Sequence, residues 1–89
     1  MRVFGYDEEN SKNMLEISII IPAFNEERRI TKTLREIFEF GESRKDINFE
    51  IVVVDDGSSD GTVEKVYAFF QAKKFNNFQI LKNEGNRGK

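Results

Sequence analysis

Two short runs of β-branched and apolar residues, ISIII at 17–21 and FEIVVV at 49–54, each lead directly into a polar loop. A strand with one wet face alternates apolar and polar residues. Here apolar groups occupy both alternating faces, the pattern of strands covered on both sides in a parallel sheet. Between the runs, Ile30, Leu34, Ile37 and Phe38 recur at helical spacing, and after the second run Val63, Val66, Tyr67 and Phe70 repeat at i, i+3, i+4 and i+7. FQIL at 78–81 is a weaker third strand. The order βαβαβ predicts an α/β fold, a three-layer Rossmann-like parallel sheet with right-handed crossovers.

The punctuation predicts the element ends. Pro22 closes strand one. Asn25 caps helix one and places Glu26 and Glu27 in its first turn, where carboxylates suit the positive end of the helix dipole. Gly41 stops that helix, and helix two is capped from within residues 59–62. Residues 1–15 have no period and read as an extension, with Phe4 and Tyr6 packing onto the body; residues 16–89 form one domain.

Composition narrows the chemistry. Fourteen Lys and Arg against 16 Asp and Glu give a net charge of -2, so no strong field draws the chain to nucleic acid. The absence of Cys and His excludes disulfides, zinc-thiolate sites and an imidazole base. The first residues are interrupted by charge before an apolar signal core could form, and no run of about 18 apolar residues occurs, which predicts a cytoplasmic chain.

Ligands of parallel sheets bind beyond the carboxyl ends of the strands. The two most polar loops, PAFNEE at 22–27 and DDGSSDG at 55–61, leave strands at that edge. Asp55 and Asp56 have two readings: they start a turn and cap a helix, or they accept hydrogen bonds from a base or sugar, or hold a metal. Glu26 likewise serves a helix dipole or reaches a ribose hydroxyl, and Phe24, near Pro22, is a tucked-in loop aromatic or one wall for a flat base. Other nucleotide folds fail on their motifs. There is no GxGxxG after strand one and no GK[ST] phosphate loop. A phosphorelay receiver would share the acidic pair, but Leu81, Lys82 and Asn83 stand where its acceptor aspartate belongs.

Taken together, ISIIIPAFNEE, FEIVVVDDGSSDGT and ILKNEGNRGK resemble, in wording and order, the opening of the family 2 glycosyltransferases, which share the GT-A fold. The wording is most similar to dolichyl-phosphate glucosyl- and mannosyltransferases. The resemblance covers residues 16–89 and implies a partial, truncated GT-A domain that binds a UDP- or GDP-linked sugar. By it, Pro22, Phe24 and Glu26 line the nucleotide from the first loop, Val54 and Asp56 meet the base from the end of strand two, Asp55 braces the loop, and Arg87 or Lys89 approaches the diphosphate or base. It further implies an inverting hexosyl transfer to an acceptor such as a lipid phosphate, with Mg or Mn held by a DxD-type motif at the end of a fourth strand. That motif and the acceptor half do not occur in the sequence, so no catalytic residue is assigned and the isolated chain is expected to be inactive. A non-catalytic module that pairs with another chain is the alternative. In the GT-A fold the fourth strand flanks strand one; without it strand one becomes an apolar edge, which predicts a homodimer built on that edge.

Overall fold

The structure, a computed structural model, describes residues 14–83. The expected packing of Phe4 and Tyr6 and the positions of Arg87 and Lys89 lie outside these residues. Along the chain run β1 (Leu15–Ala23), α1 (Ile30–Ser43), β2 (Ile47–Asp55), α2 (Thr62–Lys73) and β3 (Phe78–Lys82). The three strands form one parallel sheet in the order β1-β2-β3, with Ile19 beside Ile51 and Val53 beside Ile80. The fold is the α/β Rossmann-like βαβαβ arrangement.

Each crossover steps to the next strand in the same direction, so right-handed connections bring α1 and α2 to the same face, where they touch one another. The pleat sorts the side chains accordingly. Ile21 and Ala23 of β1, Ile47, Phe49, Ile51 and Val53 of β2, with Phe78 and Ile80 of β3 alongside, meet Ile30, Leu34, Val66, Phe69 and Phe70 of the helices. Leu34, Ile51, Val53, Val66 and Phe70 are fully buried. Each such burial stabilises the fold by about 1.5–3 kcal/mol relative to exposure. The even-numbered residues of β1 and β2 and the odd-numbered residues of β3 point to the opposite face, where no helix lies among the described residues: two of the three expected layers are present here. On that open face Ile20 and Leu81 are exposed, while Val52 of the central strand is buried.

Several element ends differ from expectation. β1 starts at Leu15, ahead of residue 16, and continues through Pro22 to Ala23. Leu15 donates to Asp46 O and Ala23 O accepts from Asp56, so the odd-numbered backbone groups of β1 face β2. By the alternation of a strand the even-numbered ones face the free edge, where the missing N–H of Pro22 removes no ladder bond. Nor does Gly41 stop α1, which runs on to Ser43. Gly41 is a close-approach glycine: a Cβ there would lie 2.5 Å from the Phe49 ring. Tyr67 is half exposed, and Phe69, which the periodicity passed over, is buried in its stead. α2 ends with Lys74 in the left-handed region (φ 55°). The Lys74 N–H then bonds Gln71 O and the Phe75 N–H bonds Phe70 O, which satisfies the terminal carbonyls.

The aromatics gather toward the end of the sheet away from the polar loops. Phe70 stacks on Phe78 with ring centroids 4.2 Å apart, Phe49 on Phe75 at 5.3 Å, and Phe38 meets Phe49, Phe69 and Phe75 edge-on. Packing stability is concentrated at that end, which leaves the carboxyl edge free for polar residues.

Candidate functional site at the carboxyl edge of the sheet

β1 and β2 deliver their polar loops side by side because Ala23 pairs with Asp55 and Pro22 with Val54. The two loops are then tied together. The backbone N–H groups of Asn25, Glu26 and Glu27 donate to Ser58 Oγ at 2.8 Å, Thr62 Oγ1 at 2.8 Å and Asp60 Oδ2 at 3.3 Å. In return Asn25 Oδ1 accepts from Ser59 N–H at 2.9 Å and Glu27 Oε1 from Gly61 N–H at 3.1 Å. The Asp56 N–H closes the base of the loops on Ala23 O at 2.9 Å.

Two of these bonds are oriented by a carboxylate. Asp55 is 3% exposed, and its two oxygens accept from Ser58 O–H at 2.5 Å and Ser58 N–H at 3.1 Å. The Ser58 proton is therefore committed to Asp55, and a lone pair of its oxygen faces the Asn25 N–H. Thr62 repeats the arrangement: it donates O–H and N–H to Asp60 Oδ1 while its oxygen accepts from Glu26. The Thr62 hydroxyl above all, then the N–H groups of Thr62 and Glu27, hold the Asp60 carboxyl below the usual carboxylate range, against a smaller opposing effect of burial.

This network corrects the expected cap. Asn25 has φ 48°, outside the extended region an N-cap takes, and its side chain serves Ser59 rather than α1. Residues 26–29 form a turn, with the Arg29 and Ile30 N–H groups bonded to Glu26 O, and α1 begins at Ile30 with no acidic residue in its first turn. α2 has Gly61 at its N-cap, with Asp60 serving the Thr62 N–H from one residue further out.

The five candidate residues do not share one fate. Pro22 and Val54 are register partners on the open face, Asp56 lies two residues after Val54, and Phe24, 54% exposed, two residues after Pro22. Asp56 is exposed and its side chain takes one described bond, from Asn83 Nδ2 at 3.2 Å. Gly57, at φ 87°, turns the chain immediately after it. Glu26 stands apart, half buried and engaged by Arg29 at 2.6 Å. Asp55 braces its loop, as the resemblance implied.

A cavity of about 410 Å³ opens on the helix side of the same edge, lined by Asp55, Gly57, Ser58, Asp60, Glu64 and Lys82. None of the five candidates lines it. Three carboxylates face one ammonium there, a balance that repels a diphosphate. Among the described residues no three Asp, Glu, His or Cys side chains converge as a metal site. Both Asp55 oxygens accept from Ser58, so Asp55 and Asp56 do not by themselves fit the oxygen cage of a Mg or Mn centre. No helix of the described residues is long and apolar enough to cross a membrane. Sequence reading missed the clasp residues Asn25, Glu27, Ser58, Asp60 and Thr62. Their signal, polar residues in both loops, also spells an ordinary helix cap.

The family described as Glycosyl transferase family 2 matches residues 18–89. A dolichyl-phosphate beta-glucosyltransferase of Dictyostelium discoideum is 34% identical over 87 residues, covering 93% of this chain and 27% of that protein. One of Trichomonas vaginalis is 44% identical over 82 residues, covering 88% of this chain and 24% of that protein. The chain thus spans about a quarter of the length of these relatives. Among solved structures, a mannosyltransferase of Pyrobaculum calidifontis in complex with GDP-Man and Mn²⁺ superposes with a TM-score of 0.67 at 30% identity, covering 82% of this chain and 21% of that one.

Proposed function

The chain belongs to glycosyl transferase family 2, and from that premise we propose that it supplies donor recognition for an inverting transfer of a hexose from UDP- or GDP-sugar to an acceptor such as a lipid phosphate. Residues 16–89 are the donor-binding part of a GT-A domain, preceded by an extension. The observation that carries this reading is the parallel register that sets Pro22 beside Val54, with Phe24 and Asp56 two residues beyond them at the open carboxyl edge. Phe24 offers an exposed ring for stacking, Pro22 and Val54 an apolar floor, and Asp56 an acceptor for the N–H groups of a base or a ribose hydroxyl. Glu26, tied to Arg29, contributes by shaping the first loop. The neighbour's GDP-Man supports the ligand class.

The 89-residue chain binds but does not turn over on this reading. Charge developing on a nucleotide leaving group requires a cation or equivalent positive groups in a fixed place. Among the described residues no cluster could hold a metal ion, and the one ammonium lining the cavity, Lys82, stands among three carboxylates. A cytoplasmic location fits a nucleotide-sugar donor.

Titration of the chain with UDP and GDP, followed by NMR, tests the reading. A weak Kd of about 0.1–1 mM is expected for half a site. Asp56→Ala removes a charged acceptor, worth about 1.5–3 kcal/mol, and weakens binding about tenfold or more. Equal shifts in both proteins would remove Asp56 from the site. With a nucleotide-sugar, Mn²⁺ and a lipid phosphate the chain releases no nucleotide above background; metal-dependent release would make Asp55 and Asp56 an active centre.

A second reading concerns association. Among the described residues β1 has a neighbour on one side only, and Leu15, Ile17 and Ile20 on it are exposed. A second copy pairing antiparallel across a two-fold axis would continue the sheet through both chains and cover these side chains.

A further inference from the structure

The residues offered to the base come from two loops: Phe24 from the first and Asp56 from the second. Their separation is set by whatever joins those loops, because neither side chain is bonded to the other's loop. Immediately beside Phe24, Asn25 makes two bonds to the second loop. Its N–H goes to Ser58 Oγ and its Oδ1 takes the Ser59 N–H, at 2.8 and 2.9 Å. Ser58 is two residues from Asp56 and is itself anchored to the buried Asp55. On one side of Phe24 the Asp56 N–H bonds Ala23 O, and on the other this clasp, doubly bonded and oriented by a carboxylate at its centre, fixes Asn25, so Phe24 is held between two ties to the second loop. Asn25 holds a left-handed conformation to make it (φ 48°), a region that Asn enters more readily than most residues.

We propose that Asn25, with Ser58 as its partner, is a positioning residue for the nucleotide base, holding the Phe24 ring at a fixed separation from the Asp56 carboxylate. The proposal rests on the donor-binding reading above. Asn25 does not itself touch the base. The clasp removes from binding the work of bringing two mobile loops together, the usual benefit of a site formed before its ligand arrives. With the neighbouring bonds to Thr62 and Asp60 it occupies the three consecutive amides of residues 25–27, which are therefore not available to cradle a phosphate.

Asn25→Gly is the informative variant, because glycine accepts the same positive φ and keeps the N–H to Ser58 while deleting the Oδ1 contact. Chains with and without the change are titrated with UDP and with GDP by amide NMR, and thermal unfolding is recorded in parallel. In the wild type the Phe24 and Asp56 amide signals move together. In Asn25→Gly the Kd rises about tenfold, Asp56 still responds and Phe24 no longer does, while the folded fraction at the assay temperature stays at the wild-type level. Ser58→Ala behaves likewise where it folds, and Ser58→Thr, which keeps the hydroxyl, restores the coupled response. Wild-type affinity with both signals moving in Asn25→Gly would overturn the positioning role alone. An affinity loss that merely tracks the unfolded fraction would overturn it too, by reducing the clasp to a fold contact. A wild type that shows no shifts with either nucleotide would remove the donor reading, and the positioning role with it.

Discussion

Asp56 sits one residue past the end of β2, and the pleat that turns Asp55 into the helix layer turns Asp56 outward. That half-turn of backbone separates a structural carboxylate from one left open to a ligand. Asp60 belongs with Asp55, since its oxygens receive Thr62 and Glu27. Its folded pKa is depressed, led by the Thr62 hydroxyl. A depressed carboxylate contributes stability that is fully present above the ordinary range, about 4, and is lost as pH falls through the folded value. Thermal midpoints recorded from neutral to strongly acidic pH should therefore fall at the acid end. Asp60→Asn should lower the midpoint at neutral pH and flatten the acid slope. Parallel curves for the two proteins would show that the Thr62 and Glu27 contacts add nothing.

α1 and β2 meet at a point where one has no side chain and the other has a ring. Alanine normally improves a helix interior over glycine by about 1 kcal/mol. At Gly41 the added Cβ falls 2.5 Å from Phe49 Cε1 and Cζ. The ring has little freedom to move, being 8% exposed, stacked on Phe75 and met edge-on by Phe38. Overpacking of this kind costs about 1–3 kcal/mol and outweighs the propensity gain. Gly41→Ala should destabilise the chain in urea unfolding, and in a Phe49→Leu background the same change should cost less, because the atoms it strikes are gone. Stabilisation by Gly41→Ala in the parent would show that α1 can move away from β2 freely.

At the scale of the whole sheet, the consequential feature is that, among the described residues, β1 lies at its margin and one face carries no helix. The outward backbone groups of β1 belong to Glu16, Ser18, Ile20 and Pro22, of which Pro22 has no N–H. Antiparallel pairing of two copies is thereby confined to the part of the strand before Pro22, where each ladder bond adds about 1 kcal/mol net. Ser18→Pro deletes an outward donor and leaves the β1–β2 ladder intact, so it should abolish association without unfolding the chain. Sedimentation equilibrium provides the check. A wild-type chain that stays monomeric at millimolar concentration would rule out pairing of copies at this edge.

The fold class, the parallel order, the approximate strand and helix positions and the convergence of two polar loops at one edge were all legible in the residue pattern, because they depend on periodicity and on the fixed hand of the crossover. So was the family, because three motifs in order carry it. The use of individual polar and glycine residues was not. Asn25 followed by Glu26 and Glu27 has the local chemistry of a helix cap, and only the arrival of Ser58, Ser59 and Asp60 from more than 30 residues away turns it into a clasp. Gly41 looks like a helix stop until the Phe49 ring occupies the space beside it, and Pro22 looks like a strand end until its missing N–H proves to face the free edge. The division of Asp55 from Asp56 has the same origin. Local propensity fixes which conformations a residue tolerates, while the hydrogen-bond partner it finds is chosen by strand register and crossover, which bring distant residues within 3 Å of one another.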